Sequence, residues 1–239
     1  TFEEAKTDAK EKYAKYVAKL GCYTEEQKKD LINKYNEQID KVEVLSDDEF
    51  WKQIGNANPA TVAYYNGPKD KVYISEKYAG NTDILIHEIG GHGTGSMSTT
   101  EGYYYTDQNT GESVLYTGTY EDSSTKLTWM GNYSGIGEAT TEFFTRKING
   151  EKSEGCIYNS SVDALESILN TMTKYGGVNA EELLFETYTS DDKEKFAKKY
   201  NQMMGSDEAY NLLDEEMRLA NYGDPAYEKL VGINAGLFK

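Results

Sequence analysis

This 239-residue chain contains two histidines, and both fall within the six-residue run His87-Glu88-Ile89-Gly90-Gly91-His92. The run follows Ile84-Leu85-Ile86, an apolar stretch behind the N-cap signal Asn81-Thr82-Asp83. One helix is therefore expected to carry both imidazoles, and their spacing constrains it sharply. On a regular α-helix, positions four apart differ by about 40° in azimuth, and positions five apart by about 140°. Side chains separated that widely do not readily reach one ion. If the histidines act together, the helix has to bulge between them, as a π-turn or a single wide turn does. Gly90-Gly91 is where the distortion is expected to cost least, because glycine tolerates unusual dihedrals. The plainer alternative is a pair of polar residues at a helix end with a glycine-rich stop.

Neutral imidazole is a favoured Zn²⁺ ligand at about 2.0–2.1 Å, and a carboxylate beside it can act as general base toward metal-activated water. Glu88 is the carboxylate in that position. A catalytic zinc usually has a third protein ligand and one open position. A downstream helix offers Glu138 and Glu142, four apart on one face. Glu138 comes early in that helix, and Glu142 could accept a hydrogen bond from a ligating imidazole. A solvated carboxylate pair is the alternative, but Phe143 and Phe144 point to a buried helix.

At these residues a family resemblance emerges. His87-Glu88-Ile89-Gly90-Gly91-His92 resembles the His-Glu-x-x-Gly-His zinc motif of the dipeptidyl-peptidase III family. Glu138-Ala139-Thr140-Thr141-Glu142 is similar to its Glu-x-x-x-Glu segment. The resemblance implies His87, His92 and Glu138 as Zn²⁺ ligands, Glu88 as base, and Glu142 as support for a histidine. It covers about residues 84–95 and 137–144; that family's chain is much larger and two-lobed, so its dipeptide-releasing specificity is not carried over. More broadly, the run from Gly137 to Ile148 resembles the glutamate helix of secreted gluzincin-type peptidases of Gram-positive gut bacteria. That likeness implies a zincin-like order over most of residues 60–220: strands, metal helix, variable hairpins, glutamate helix and helical C-terminal lobe.

The rest of the chain reads compatibly with that order. Phe2 to Leu20 is a Lys/Glu-rich amphipathic helix stopped by Gly21, and the capping box Thr24-Glu25-Glu26-Gln27 opens a second helix to about Val44. Ser46-Asp47-Asp48-Glu49 starts a short third helix. Thr61 to Tyr65 and Lys71 to Ser75 read as strands around the turn signal Asn66-Gly67-Pro68. Residues 102–130, rich in Tyr, Thr and Gly, predict one or two hairpins with turns at Asp107–Gly111 and Glu121–Ser124. Helices are then expected over about 136–148, 161–174, 179–188, 191–203 and 206–221, with a short piece after Pro225. The expected class is α+β, mostly helical. Its parts are an N-terminal helical segment (1–58), a zincin catalytic core (59–150) and a helical C-terminal lobe (151–239), together one compact catalytic unit.

Composition narrows the function classes. With 41 acidic against 25 basic residues the formal net charge is −16, which disfavours nucleic acid as a partner. No apolar run approaches the roughly 18 residues needed to span a bilayer. The chain opens on Thr1 without a signal peptide, and reads as a mature or trimmed fragment of an extracellular or cell-surface bacterial protein. Cys22 and Cys156 could join in a disulfide or stay free thiols; both readings stand.

The function expected is zinc-dependent peptide-bond hydrolysis on a peptide or protein substrate, by a monomer. Tyr133 and Tyr158 are candidate donors to the tetrahedral oxyanion. A zinc-binding surface or recognition module with a degenerate peptidase site is the alternative, and a purely structural adhesin domain, without zinc, a third.

Overall fold

A capping box at Thr24 launches the second helix, as the sequence predicts, and another at Thr1 launches the first. In the computed structural model, which describes residues 1–54, 61–66, 69–98, 101–106, 113–115, 128–131, 134–150 and 158–221, α1 spans Phe2–Ala18 and α2 spans Glu25–Asp40. The Thr1 hydroxyl accepts from the Glu4 amide, and Thr24 does the same for Gln27. α1 buries Ala5, Ala9, Tyr13 and Val17, a single stripe at helical spacing. Tyr13 stacks on Tyr35 of α2 with ring centroids 3.9 Å apart, which ties the two helices face to face.

The second helix is shorter than its sequence suggests. It ends at Asp40, and Glu43–Leu45 form a strand, β1. The reason is tertiary: β1 pairs parallel with β3 (Lys71–Ser75), so its backbone is satisfied by a partner distant in sequence. β2 (Ala63–Asn66) pairs antiparallel with β3, giving the order β1-β3-β2. After that pairing come α3's partner residues in space: Leu45, Phe50 and Tyr73 form a small satellite cluster, with Phe50 supplied by α3 (Asp47–Ile54).

Asn81 caps α4 (Thr82–Ile86), accepting from the amides of Asp83 and Ile84. The chain then passes directly into a π-helical segment, His87–Gly93. A second sheet follows, β4 (Glu101–Thr106), β5 (Ser113–Leu115) and β6 (Thr128–Gly131), all antiparallel in the order β5-β4-β6. These are the strands expected from the Tyr- and Thr-rich region; the turns predicted at 107–111 and 121–124 lie outside the described residues.

Five helices complete the described chain: α5 (Ser134–Asn149), α6 (Asn159–Gly176), α7 (Ala180–Thr189), α8 (Lys195–Met204) and α9 (Ala209–Asn221). Gly177 and Gly205, in left-handed conformation, end α6 and α8. The fold is α+β and mostly helical. One contiguous apolar core runs from Ala5 in α1 to Met217 in α9, so the N-terminal helices share a core with the C-terminal ones. Among the described residues no helix is long and apolar enough to cross a membrane. Cys22 is an exposed free thiol, while Cys156 and the piece after Pro225 lie outside the described residues.

α5 deserves its central place because the C-terminal helices hold its first turn. Asp214 of α9 accepts from the Ile136 amide at 2.9 Å, acting as an N-cap donated by another helix. Asn221 donates to the Gly135 carbonyl at 3.3 Å, and Ser161 of α6 donates in turn to Asn221 at 2.5 Å. A Cβ on Gly135 would lie 2.3 Å from the Asp214 carbonyl oxygen and 2.4 Å from the Arg218 amide nitrogen. Those are backbone atoms, so no rotamer change relieves the overlap. Gly137, two residues on, has nothing within 4 Å of such a Cβ.

Gly135→Ala is therefore expected to destabilise the fold by about 1–3 kcal/mol or more. Gly137→Ala is expected to be neutral or stabilising by up to about 1 kcal/mol, through helix propensity. Urea midpoints of the two variants measure the difference.

Candidate metal centre

The five-residue histidine step meets its geometric requirement. The segment His87–Gly93 is π-helical, and the Thr94 amide donates to the Ile89 carbonyl, five residues back, at 2.9 Å. A turn that closes its hydrogen bond at i+5 brings positions five apart onto one side. The His87 and His92 rings accordingly lie 5.6 Å apart, centroid to centroid.

The role of the two glycines differs from the sequence expectation. Neither Gly90 nor Gly91 has a positive φ, so the wide turn does not draw on glycine's left-handed freedom. What Gly91 supplies is room. A Cβ there would lie 2.0 Å from Cγ2 of Thr141, which is buried on α5. A Cβ on Gly90 would come no closer than 3.7 Å to Tyr35. The missing side chain at Gly91 lets α5 press against the π-helical segment and brings the glutamate helix within reach of both imidazoles.

At that contact, three of the predicted residues converge. His87, His92 and Glu138 each offer one ligand atom, and these atoms all lie within 4.8 Å of one another. Nε2 of His87 stands 3.7 Å from Oε2 of Glu138, and Nε2 of His92 stands 3.7 Å from the other oxygen, Oε1. These separations are too long for hydrogen bonds. They approach the roughly 3.3–3.6 Å between two donors that share one tetrahedral ion at about 2.0–2.2 Å each. The group could hold a metal ion.

The surrounding groups set the charge and orientation of this set. Nδ1 of His87 faces Glu142 Oε2 at 3.3 Å. A proton on Nδ1 donated to Glu142 leaves the Nε2 lone pair directed toward Glu138 and His92. Glu142, 5 % exposed, is gripped by Arg146, whose Nε donates to Oε1 at 2.9 Å. A second Arg146 nitrogen donates to Asn159 at the start of α6. Next to Asn159, Tyr158 lays its ring parallel to that of His87, with centroids 6.0 Å apart.

The carboxylates make His87 more basic, so a metal ion at Nε2 would take the place of a proton. Burial by itself would lower the His87 imidazole, but the Glu138 and Glu142 carboxylates outweigh it and raise His87 well above its ordinary value. Burial would raise Glu138, yet the charge of His92, the contacts with His87 and a hydrogen bond from Tyr158 bring it down to about 2. Glu142 also sits below the usual carboxylate range: burial raises it, and His87 and Arg146 more than reverse that. Glu88 is half-buried beside the cluster, outside the three-ligand group, and its charge adds to the field on His87. Glu138 is 31 % exposed and His92 30 %, so this face of the site opens to solvent while Glu142 closes the other.

Of the residues singled out from the sequence, His87, His92, Glu138, Glu142 and Tyr158 meet here and Glu88 borders them; Tyr133 lies outside the described residues. Sequence reasoning missed Arg146 and Asn159. The i to i+4 step from Glu142 to Arg146 is a legible ion-pair signal, but nothing in sequence spacing joins Arg146 to Asn159. No protein-family model, no curated protein and no solved structure matches the chain.

Metal titration against a chromophoric chelator checks the division of roles. Glu142→Ala and Arg146→Met are each expected to weaken metal binding by about 10–100-fold, the usual effect of losing a group that orients a ligand. Glu138→Ala is expected to weaken it more than either. If Glu142→Ala proves the more damaging of the two carboxylate changes, ligand and supporting residue are exchanged.

Proposed function

We propose that the chain is a zinc-dependent peptidase of zincin type, acting outside the cell or at its surface on peptide or protein substrates. The observation that carries this reading is the convergence of His87, His92 and Glu138 from two separate elements, with Glu88 beside them and not among the ligands. Two imidazoles and one carboxylate are a donor set suited to zinc, and three protein ligands leave a coordination position for substrate or water. A purely structural zinc site is closed by four protein ligands and has no use for an adjacent base.

When bound there, zinc supplies Lewis acidity toward a carbonyl oxygen and toward water. The chain's own residues supply the rest. Glu138, ionised and partly exposed, holds the negative charge of the ligand set. Glu142 keeps the Nδ1 proton of His87, and so keeps Nε2 free to ligate. Arg146 anchors Glu142 so that it can do this with little motion. Glu88 is the carboxylate left to take a proton from the attacking water and return it to the leaving amine. Tyr158 is the hydroxyl proposed to donate to the developing oxyanion, supported by its ring, which lies parallel to that of His87 with centroids 6.0 Å apart.

The test combines metal content with hydrolysis of casein, an unstructured substrate. The purified protein is expected to carry one zinc and to cleave casein until a chelator removes the metal. Glu88→Gln is expected to keep the zinc and lose cleavage by about 10²–10⁴-fold, the range for a lost general base. Full turnover in Glu88→Gln removes that residue as the base. One bound zinc without cleavage of any peptide favours a zinc-containing recognition module instead.

A further inference from the structure

A groove of about 330 Å³ starts at His92 and leads away from the metal centre along Gly93 to Ser96. Its size is that of ligand-binding sites generally. One wall is α2, through Glu37 and Gln38; the opposite wall is the turn after α7, through Ser190 and Asp191. The second wall is fastened to the floor. The Ser96 amide donates to the Tyr188 carbonyl at 2.8 Å. A Cβ on Gly95 would lie 2.4 Å from the Tyr188 ring, so only glycine admits that close approach. The Tyr188 hydroxyl shares a 3.0 Å hydrogen bond with Thr141 of α5. The groove is thus built on the same elements that position the metal ligands.

Each wall presents a buried side-chain oxygen without a hydrogen-bond partner among the described residues. Gln38 is only 9 % exposed. Its Nε2 donates to Asp70 Oδ1 at 2.7 Å, and that bond decides which way the amide faces. Asp70 is held as a carboxylate by Lys41 at 2.6 Å and by the Tyr65 hydroxyl at 2.9 Å, so it can only accept. Oε1 of Gln38 is therefore turned the other way, toward Gly93 on the groove floor. It finds no donor among the described residues, and neither does Oγ of Ser190 on the facing wall. A buried polar atom left without a partner is unfavourable. Two such atoms, on opposite walls of one groove beside His92, call for a ligand that offers an N–H to Gln38 Oε1 and either a donor or an acceptor to the Ser190 hydroxyl.

The charges do not argue for an anion. Glu37 and Asp191 are exposed carboxylates on the two walls, and they match Lys34 and Lys193 in number. Lys193 directs its Nζ at the carbonyls of Thr187 and Tyr188, at 3.4 and 3.0 Å. The chain as a whole is strongly acidic, with a formal charge of −16.

We propose that this groove is the binding site for one side of the substrate: an extended peptide segment whose backbone N–H donates to Gln38 Oε1 and whose backbone also pairs with the Ser190 hydroxyl. Gln38 is then a specificity-determining residue, aimed by Asp70. The identity of the ligand rests on the peptidase reading, whereas binding in the groove is measured separately from hydrolysis.

The experiment uses the full chain, zinc-loaded, with casein as the probe. Wild type, Gln38→Met, Ser190→Ala and the double variant are compared for KM, kcat, zinc content, melting temperature and cleavage positions by mass spectrometry. Gln38→Met keeps the side-chain volume. Ser190→Ala leaves the Asp70 network untouched, so it serves even if Gln38→Met lowers stability. The double variant is expected to raise KM about tenfold, with kcat within about twofold and zinc content unchanged. Its residue preference is expected to change on one side of the cleaved bond only. Unchanged KM and unchanged cleavage positions overturn the groove while leaving the peptidase reading intact. If wild type does not cleave, casein binding to the same four proteins is measured by fluorescence anisotropy. Binding weakened by the variants supports the groove and removes the peptidase, and no binding, or binding equal in all four, overturns the groove.

Discussion

The contact between Gly91 and Thr141 is the constraint on which the rest of the site depends. A β-branched, buried threonine on α5 occupies the space that any side chain at position 91 would fill. Interiors are close-packed, so two elements approach this closely only where one of them has no Cβ. That approach puts Glu138 and Glu142, one helical turn apart, opposite the open and the buried side of the two imidazoles. α5 in turn cannot drift, because α9 crosses its first turn at Gly135 and Asp214 caps it.

Electrostatics then defines what the contact can hold. Glu138 and Glu142 are both kept below the normal carboxylate range despite burial, and Glu88 adds a further negative charge nearby. Arg146 offsets part of this, but it is committed to Glu142 and Asn159 on the buried side. The exposed side keeps two imidazole nitrogens and a carboxylate at separations too wide for hydrogen bonds to one another. Such an arrangement could hold a small cation.

Tyr188 links this centre to the groove beside it. Its hydroxyl reaches Thr141, its ring lies against Gly95, and its carbonyl takes the Ser96 amide. The chain leaving the π-helical segment is therefore held along α7, opposite α2. α2 brings Gln38, whose orientation is set by Asp70, a residue in left-handed backbone conformation just ahead of β3. Elements from the first, middle and last parts of the chain thus meet around His92, consistent with a core that runs through all of them.

Much of this was legible in the sequence because it is local. The capping box at Thr24, the N-cap at Asn81 and the apolar periodicities are short-range signals, and they located most helices and the β2–β3 hairpin. The five-residue histidine step demanded a wide turn, since the angular mismatch on an α-helix follows from the spacing alone. The spacing of Glu138 and Glu142 likewise put both on one helix face. Tertiary structure decided the rest. It ended α2 early because β1 had β3 to pair with. It gave Gly91 its reason in Thr141, fifty positions along the chain and invisible to any local rule. It joined Arg146 to Asn159, and it aimed Gln38 through Asp70 at a groove whose far wall comes from the turn after α7. Local spacing dictates which faces a helix presents; which face meets which is settled only when the core closes, because close approach and shared hydrogen bonds depend on residues far apart in the chain.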